Sequence, residues 1–341
     1  MSGDVLIVIP CLNEERTIAP IIEQMLAEDP EGRCLIVVSD GGSTDLTHSI
    51  VRHYADAHPG RVALVNNRQR IQSAATNLAA RSHGAGRKWL VRLDAHAVYP
   101  KNYVWGLIDA AERQGAASVV VPMHTEGHAC LQRGVAAAQN SRLGTGGSPH
   151  RHPGVSKWVE HGHHALFRLD KFCEAGGYDE TFTHNEDAEF DFRLSKVGGR
   201  IWLAGDLSIT YFPRQTLRSL FQQYLAYGRG RARTVLRHKT GLRVRQALPL
   251  LVPPALVLAL LGPLEPLAVL PAAIWLSTCL AFGAVAGLRR RSLCEASAGP
   301  ALVVMHFAWA AGFLGQVFTP KGGLPQPEPI LHPTASLTPE V

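Results

Sequence analysis

Asp94-Ala95-His96 sets a carboxylate and an imidazole two residues apart at the close of an apolar run, Trp89 to Leu93. If that run is a strand, alternation sends both outer side chains to one side, where they could hold a divalent ion bridging two phosphates. A lone aspartate at a strand end explains the same residues more plainly. Further on, Thr183-His184-Asn185-Glu186-Asp187-Ala188-Glu189-Phe190-Asp191 carries four acids within six residues. A solvated helix start accounts for them; so does a carboxylate acting as general base on a hydroxyl. Asp40 closes another apolar run and precedes Gly41-Gly42. It fits a turn aspartate or an acceptor of hydrogen bonds from a base or ribose. Pro10-Cys11-Leu12-Asn13-Glu14-Glu15 follows a third run and fits a helix cap or a turn presented to a ligand.

Other patterns exclude functions. Glu160-His161-Gly162-His163-His164 lacks the His–Glu–x–x–His spacing, and no cysteine pair joins it, so zinc is not expected; these histidines read as structural or as part of an acceptor loop. Gly144-Thr145-Gly146-Gly147 has no Gly–Lys–Ser/Thr ending. No Gly–x–Gly–x–x–Gly follows the first apolar run, which argues against a dehydrogenase. The positive charge is not interleaved with aromatics, so no nucleic-acid partner is expected. Cys11, Cys34, Cys130, Cys173, Cys279 and Cys294 form no C-x-x-C pair, which suggests reduced thiols in a cytosolic setting.

The elements that must position these residues alternate. Val5 to Ile9, Leu35 to Val38, Val62 to Asn66, Trp89 to Leu93 and Ala117 to Val121 read as buried strands. Helices are expected over Asn13 to Ala27 with Asn13 as N-cap, from Asp45 to about His58, and over Ser73 to His83 and Tyr103 to Gln114. That order implies crossover units and a mostly parallel sheet with helices on both faces. Ligands bind at the carboxyl ends of such strands, so Asn13, Asp40 and Asp94 should converge on one crevice. Thr125 to Val159 is Gly/His/Pro-rich and reads partly as a mobile loop; Leu166 to Ala175, Ala188 to Val197 and Leu217 to His238 read as helices.

The mean hydropathy of +0.01 hides a split. The net charge of +6 is concentrated in Arg214, Arg218, Arg229, Arg231, Arg233, Arg237, Lys239, Arg243 and Arg245. That run suits anionic headgroups, a diphosphate or a positive-inside signal. Three apolar stretches follow, Leu248–Leu264, Leu267–Leu288 and Leu302–Phe318. Two or three are expected to span a membrane, the proline-broken first being the candidate for a re-entrant segment. A hairpin turning at Gly262–Pro266 would put Arg243 and Arg245 on the same side as Arg289-Arg290-Arg291. Three regions are therefore expected: 1–240, a cytosolic domain; 241–318, a membrane region; and 319–341, a disordered Pro-rich tail.

Taken in order, these motifs resemble the family-2 glycosyltransferases of A-type fold. The resemblance runs from Val5 to about Lys239. It includes the Pro–x–x–Asn–Glu–Glu opening; Asp40-Gly41-Gly42-Ser43-Thr44-Asp45, with glycine in the second acidic place; Asn77; Asp94-Ala95-His96 in place of Asp–x–Asp; Gly176-Gly177-Tyr178-Asp179-Glu180; and Glu186-Asp187. The Asp–Ala–His variant with an apolar C-terminal region resembles the bacterial succinoglycan-type glucosyltransferases. The resemblance implies a Rossmann-like α/β domain with C-terminal transmembrane helices. Pro10, Asn13, Glu14 and Asp40 would surround the nucleoside. Asp94 would contact ribose or metal, His96 would be the second metal-side ligand, and Asp187, beside Glu186, would be the base. The ion would be manganese or magnesium, imidazole suiting manganese better. The reaction would invert the anomeric carbon in one displacement. A hexose, by family habit glucose from a UDP-sugar, would pass to a polyprenyl-diphosphate-linked oligosaccharide of exopolysaccharide synthesis. The alternatives are transfer directly to a lipid, or a non-catalytic scaffold of a polysaccharide assembly complex. The Gln–x–x–Arg–Trp motif of processive synthases is absent. Arg229 and Arg231, in the comparable region, suit either a diphosphate or membrane-surface charge. The setting implied is the bacterial inner membrane, with catalysis on the cytoplasmic side.

Overall fold

A computed structural model of the chain describes residues 3–148 and 154–319. The Pro-rich tail expected from 319 lies outside them, apart from Thr319 itself. In chain order the elements are β1 (Val5–Cys11), α1 (Ile18–Ala27), β2 (Cys34–Asp40), α2 (Thr47–Ala57), β3 (Val62–Asn66), α3 (Gln72–His83), β4 (Trp89–Arg92), α4 (Tyr103–Gln114), β5 (Ser118–Val121) and β6 (Met123–Thr125). There follow α5 (Cys130–Gln139), α6 (Arg142–Thr145), β7 (Lys157–Val159), β8 (His163–Arg168), α7 (Leu169–Glu174), α8 (Glu186–Lys196), β9 (Ile201–Leu203) and β10 (Ile209–Tyr211). The last helices are α9 (Leu217–His238), α10 (Val244–Ala247), α11 (Val252–Ala259), α12 (Leu270–Arg290), α13 (Leu293–Ala296) and α14 (Ala298–Phe318). Two compact units result, the first from 3–122 and 154–209, the second from 123–148 and 210–319.

The first unit is built on an eight-stranded sheet of order β3-β2-β1-β4-β8-β5-β9-β7. β1 pairs in parallel with β2 and β4, and β2 with β3. Apart from polar residues at their C-terminal ends these strands are apolar, because helices cover both faces; Val5 to Ile9 are almost wholly buried. β8 runs antiparallel between β4 and β5, so the sheet is mixed on that side. Behind it Phe167, Phe172, Tyr178 and Phe190 pack edge-to-face or tilted, with centroids 5.1 to 6.0 Å apart.

Four expectations change. Asn13 does not cap α1: it lies in the left-handed region with φ 57°, and a turn in which Glu14 O accepts from Thr17 N and Ile18 N at 3.0 Å delays the helix to Ile18. The stretch 166–175 is not one helix. Its Leu-Phe-Arg start belongs to β8, which is filled in between two strands, and only Leu169–Glu174 is helical. Much of the described part of 125–159 is regular, holding the end of β6, α5, α6 and β7, and 149–153, where a loop would fall, lie outside the described residues. Finally, Cys130 and Cys294 are joined in a disulfide where reduced thiols were expected. Their separation of 164 residues hides from spacing what folding brings together.

In the second unit α9 and α14 meet with almost no space between backbones. A Cβ at Gly228 would fall 2.0 Å from Trp309 O, and one at Gly312 would fall 2.0 Å from Leu225 O. α12 packs on α14 through Gly283, whose added Cβ would meet Ala296 O and Gly299 N at 2.4 Å. Two helical segments, Pro266–Arg290 and Leu293–Phe318, are long and apolar enough to cross a membrane. The first apolar stretch is broken at its prolines into a 3-10 turn, Leu248–Leu251, and the short α11.

Candidate active site

In the first unit, β2, β1 and β4 lie side by side and parallel, so Asp40, the turn after Cys11 and Asp94 emerge at one edge. Asn13 is locked to the loop after β2: Ser43 Oγ accepts from its amide at 2.8 Å, and its Oδ1 accepts from Thr44 N at 2.8 Å. Its left-handed backbone makes both bonds possible. Asp40 is buried and turns back on the same loop, accepting from Ser43 N at 3.1 Å and Ser43 Oγ at 2.5 Å. Pro10 lies inside β1, in register with Ser39. Glu14 crosses to the next strand end, where its Oε1 lies 3.1 Å from His96 Nδ1. Burial disfavours the Glu14 charge, but hydrogen bonds from His96 and Thr17 outweigh it and lower its pKa.

Asp94 is held from three directions. Gln72 Nε2 donates to Oδ1 at 2.7 Å, His163 Nε2 lies 3.3 Å from Oδ2, and Tyr99 Oη accepts from the backbone amide at 2.5 Å. Burial opposes its ionisation; the hydrogen bond and charge of His163, then Arg92 and His96, hold its pKa well below the ordinary carboxylate range.

Arg92, on the strand just before it, is buried. Its Nη1 donates to Asp187 Oδ1 at 2.8 Å and to Tyr178 Oη at 2.8 Å, and its Nη2 lies 3.3 Å from Asp187 Oδ2. Tyr178 Oη donates to Asp187 Oδ1 at 2.7 Å. Burial would lower the guanidinium pKa, but Asp187, Tyr178 and Asp94 reverse the direction. His163 Nδ1 lies 3.9 Å from Asp187 Oδ2. Asp94 and Asp187, 93 positions apart, thus share two neighbours, the Arg92 guanidinium and the His163 imidazole. Glu186 sits beside them at the start of α8; burial, then the Asp187 charge, raises its pKa.

The structure therefore joins Asn13 with Asp40 through the Ser43–Thr44 loop, Glu14 with His96, and Asp94 with Asp187. Arg229 and Arg231 belong to α9 of the second unit. Two residues of the site went unread in the sequence, Gln72 and Arg92, and Tyr178 was read only as part of the Gly176–Glu180 motif. Arg92 had a signal, a charge inside the apolar run Trp-Leu-Val-Arg-Leu that needs a buried partner. His163 was read with its neighbours as structural or acceptor-loop. Its companion His161 does have a structural role, lying 2.6 Å from the buried Asp191.

Among the described residues no group of three or more His, Cys, Asp or Glu is placed to hold a metal. The donors at the strand end are an ionised carboxylate, Asp94, and the mostly exposed imidazole of His96. That pair fits a divalent ion whose remaining ligands come from a bound diphosphate.

The model of Glycosyl transferase family 2 matches residues 6–173. The chain is 48% identical over 312 residues, 92% of this chain and 94% of that protein, to succinoglycan biosynthesis protein ExoA of Rhizobium meliloti (strain 1021). It is 23% identical over 235 residues, 65% of this chain and 71% of that protein, to dolichyl N-acetyl-alpha-D-glucosaminyl phosphate 3-beta-D-2,3-diacetamido-2,3-dideoxy-beta-D-glucuronosyltransferase of Methanococcus voltae. Among solved structures, the mannosyltransferase PcManGT from Pyrobaculum calidifontis in complex with GDP-Man and Mn2+ superposes with TM-score 0.59 at 19% identity, covering 93% of this chain and 88% of that one. GalNAc-T7 with UDP, GalNAc and Mn2+ superposes with TM-score 0.50 at 15% identity, covering 69% of this chain and 48% of that one. Both share the mixed α/β sheet described above. With a likeness of this extent and level of identity to the Rhizobium protein, and the family model matched over the sheet, the chain belongs to glycosyl transferase family 2 and is a glycosyltransferase.

Proposed function

We propose that this enzyme moves a hexose, glucose from a UDP-sugar, to a polyprenyl-diphosphate-linked oligosaccharide during exopolysaccharide synthesis, with inversion and one sugar per encounter. The name of the Rhizobium relative supports the pathway, and that of the Methanococcus relative supports a lipid-linked acceptor. The observation that carries the reading is the pairing of Asp94 with Asp187 around Arg92 and His163. It brings a donor-side carboxylate and an acceptor-side carboxylate within one shell of side chains.

In this reading Pro10, Asn13, Glu14 and Asp40 line the nucleoside. Asp94 and His96 would hold manganese or magnesium, which would supply positive charge for the leaving diphosphate. Asp187, fixed in orientation by Arg92 and Tyr178, takes the proton from the acceptor hydroxyl as that oxygen attacks the anomeric carbon. The nucleoside diphosphate departs from the opposite face, so no sugar–enzyme bond forms. Buried Glu186 keeps its proton more readily than an ordinary carboxyl, which leaves the base role to Asp187. Arg229 and Arg231 take the acceptor diphosphate or the headgroup layer. The apolar C-terminal helices hold the enzyme to the cytoplasmic face of the inner membrane.

The test is a donor screen with defined polyprenyl-diphosphate acceptors, reading released nucleoside diphosphate. Asp187→Asn should lower turnover by about 10²- to 10⁴-fold with little change in donor affinity. Unchanged turnover would remove Asp187 from the base role.

A further inference from the structure

Length and composition treat α12 and α14 alike, but their surroundings differ. α14 is wrapped. Ala298, Ala301, Leu302, Met305, Ala308 and Ala310 are fully buried. Near its middle, His306 Nε2 lies 2.9 Å from Leu143 O of α6, and Trp275 Nε1 of α12 donates to His306 Nδ1 at 3.3 Å. Gly144 sits against Met305. The middle of α14 therefore faces a short helix flanked by Asn140, Ser141 and Arg142 and by the turn at Gly146-Gly147. On α9, Gly228 touches Trp309, and its neighbour Arg229 is exposed.

α12 lies antiparallel along this helix, with Cys279 beside His306 and Gly283 beside Gly299. Its buried stripe is narrow: Ala272, Cys279, Gly283 and Gly287. The rest of its surface exposes Leu270, Ile274, Leu276, Leu280, Val285 and Leu288. The segment before it exposes Leu248, Leu251, Val257, Leu260, Leu264 and Leu267. Along the chain, exposed Arg243 precedes this apolar layer, and exposed Arg289, Arg290 and Arg291 follow it.

If α12 stood upright across a bilayer, Leu143, the polar turns around α6 and exposed Arg229 would lie near mid-depth. Hydrocarbon does not tolerate irregular backbone and exposed guanidinium groups there. Laying α12 in the plane of the membrane removes the conflict, because the polar elements then stay on the water side of α14 while the α11–α12 face meets acyl chains. We propose that the second unit seats on one leaflet of an anionic bilayer through the exposed face of α11 and α12, with α14 as its protein-wrapped strut and Arg243 and Arg289–Arg291 against lipid phosphates. Without a crossing, the chain on either side of this unit stays on one face of the membrane.

This rests on the membrane association proposed above, and the experiment separates the two. Leu270→Cys, Ala281→Cys and Leu288→Cys place a nitroxide on one exposed face of α12, over a length of about 27 Å. The native free cysteines are buried, and these three sites are exposed, so folding should be undisturbed. The full-length variants are mixed with vesicles containing anionic phospholipid, and depth is read from collision with oxygen and a water-soluble nickel chelate. The expected result is co-flotation with vesicles and the same shallow depth at all three positions. Co-flotation with Ala281 far deeper than Leu270 and Leu288 would be the profile of a crossing helix and would overturn the in-plane seating alone. Failure to co-float would overturn both the seating and the membrane association.

Discussion

Asp94 and Asp187 show how one site holds two like charges 93 residues apart in sequence. Arg92 and His163 lie between them, so each carboxylate is compensated by groups that also touch the other. For Glu186 the Arg92 charge offsets only part of the cost, and burial, then the Asp187 charge, raises its pKa. Its neutral form is the one the fold accommodates. That contribution is fully present below the ordinary carboxylate range and is lost as pH rises through the raised pKa. We expect the unfolding free energy to fall over that interval, by at most about 1.4 kcal/mol per pH unit. Glu186→Gln should flatten it; an equal slope in the variant, measured by calorimetry against pH, would assign the effect to another group. Asp94 and Asp187 were legible as residues because strand ends and acid clusters mark themselves. Arg92 and His163 were harder to find, since their meaning lies in partners the sequence places far away.

At the scale of elements, parallel strands β1 to β4 were legible because burial on both faces writes continuous apolar runs. β8 was not, because Ala-Leu-Phe fits a buried helix as well as a strand, and only its place between β4 and β5 decides. α5 and α6 were missed for a different reason: a Gly- and Ala-rich stretch has weak periodicity, and its packing partner comes more than 150 residues later. The close approach of α9 and α14 was equally invisible. It depends on Gly228 and Gly312 having no side chain where the two backbones touch. Gly228→Leu should push the helices apart and destabilise the second unit by about 1–3 kcal/mol or more. The readout is the thermal midpoint in detergent, with Gln222→Ala, an exposed neighbour, as control; equal midpoints for both would show the contact to be loose.

For the whole molecule, the division read from the sequence places a boundary near residue 240, where composition changes. The compact units divide the chain elsewhere, since 123–148 joins the C-terminal helices and not the sheet. Composition reports solvent preference, whereas units are defined by packing, and α5 is polar enough to resemble the sheet domain yet packs on α13 and α14. Ending the chain after Lys239 would therefore strip α5 and α9 of their partner. We expect that truncation to leave membranes but to aggregate, visible as loss of the monodisperse peak in size exclusion; a well-behaved soluble fragment would mean that α5 and α9 stand without α14.

The antiparallel course of β8 has a consequence for how such an enzyme could diversify. Its parallel neighbours β4 and β5 deliver residues to the catalytic edge as they end, but β8 delivers His163 there as it begins. The peptide leading into His163 is itself tied down, by the pairing of β7 with β9 and by His161 on Asp191, so a change there would reach the site through His163, whereas Asp94 is carried by a strand of the opposite direction. Selection could thus act on one wall of the site from the segment ahead of β8 while β4 carries the other.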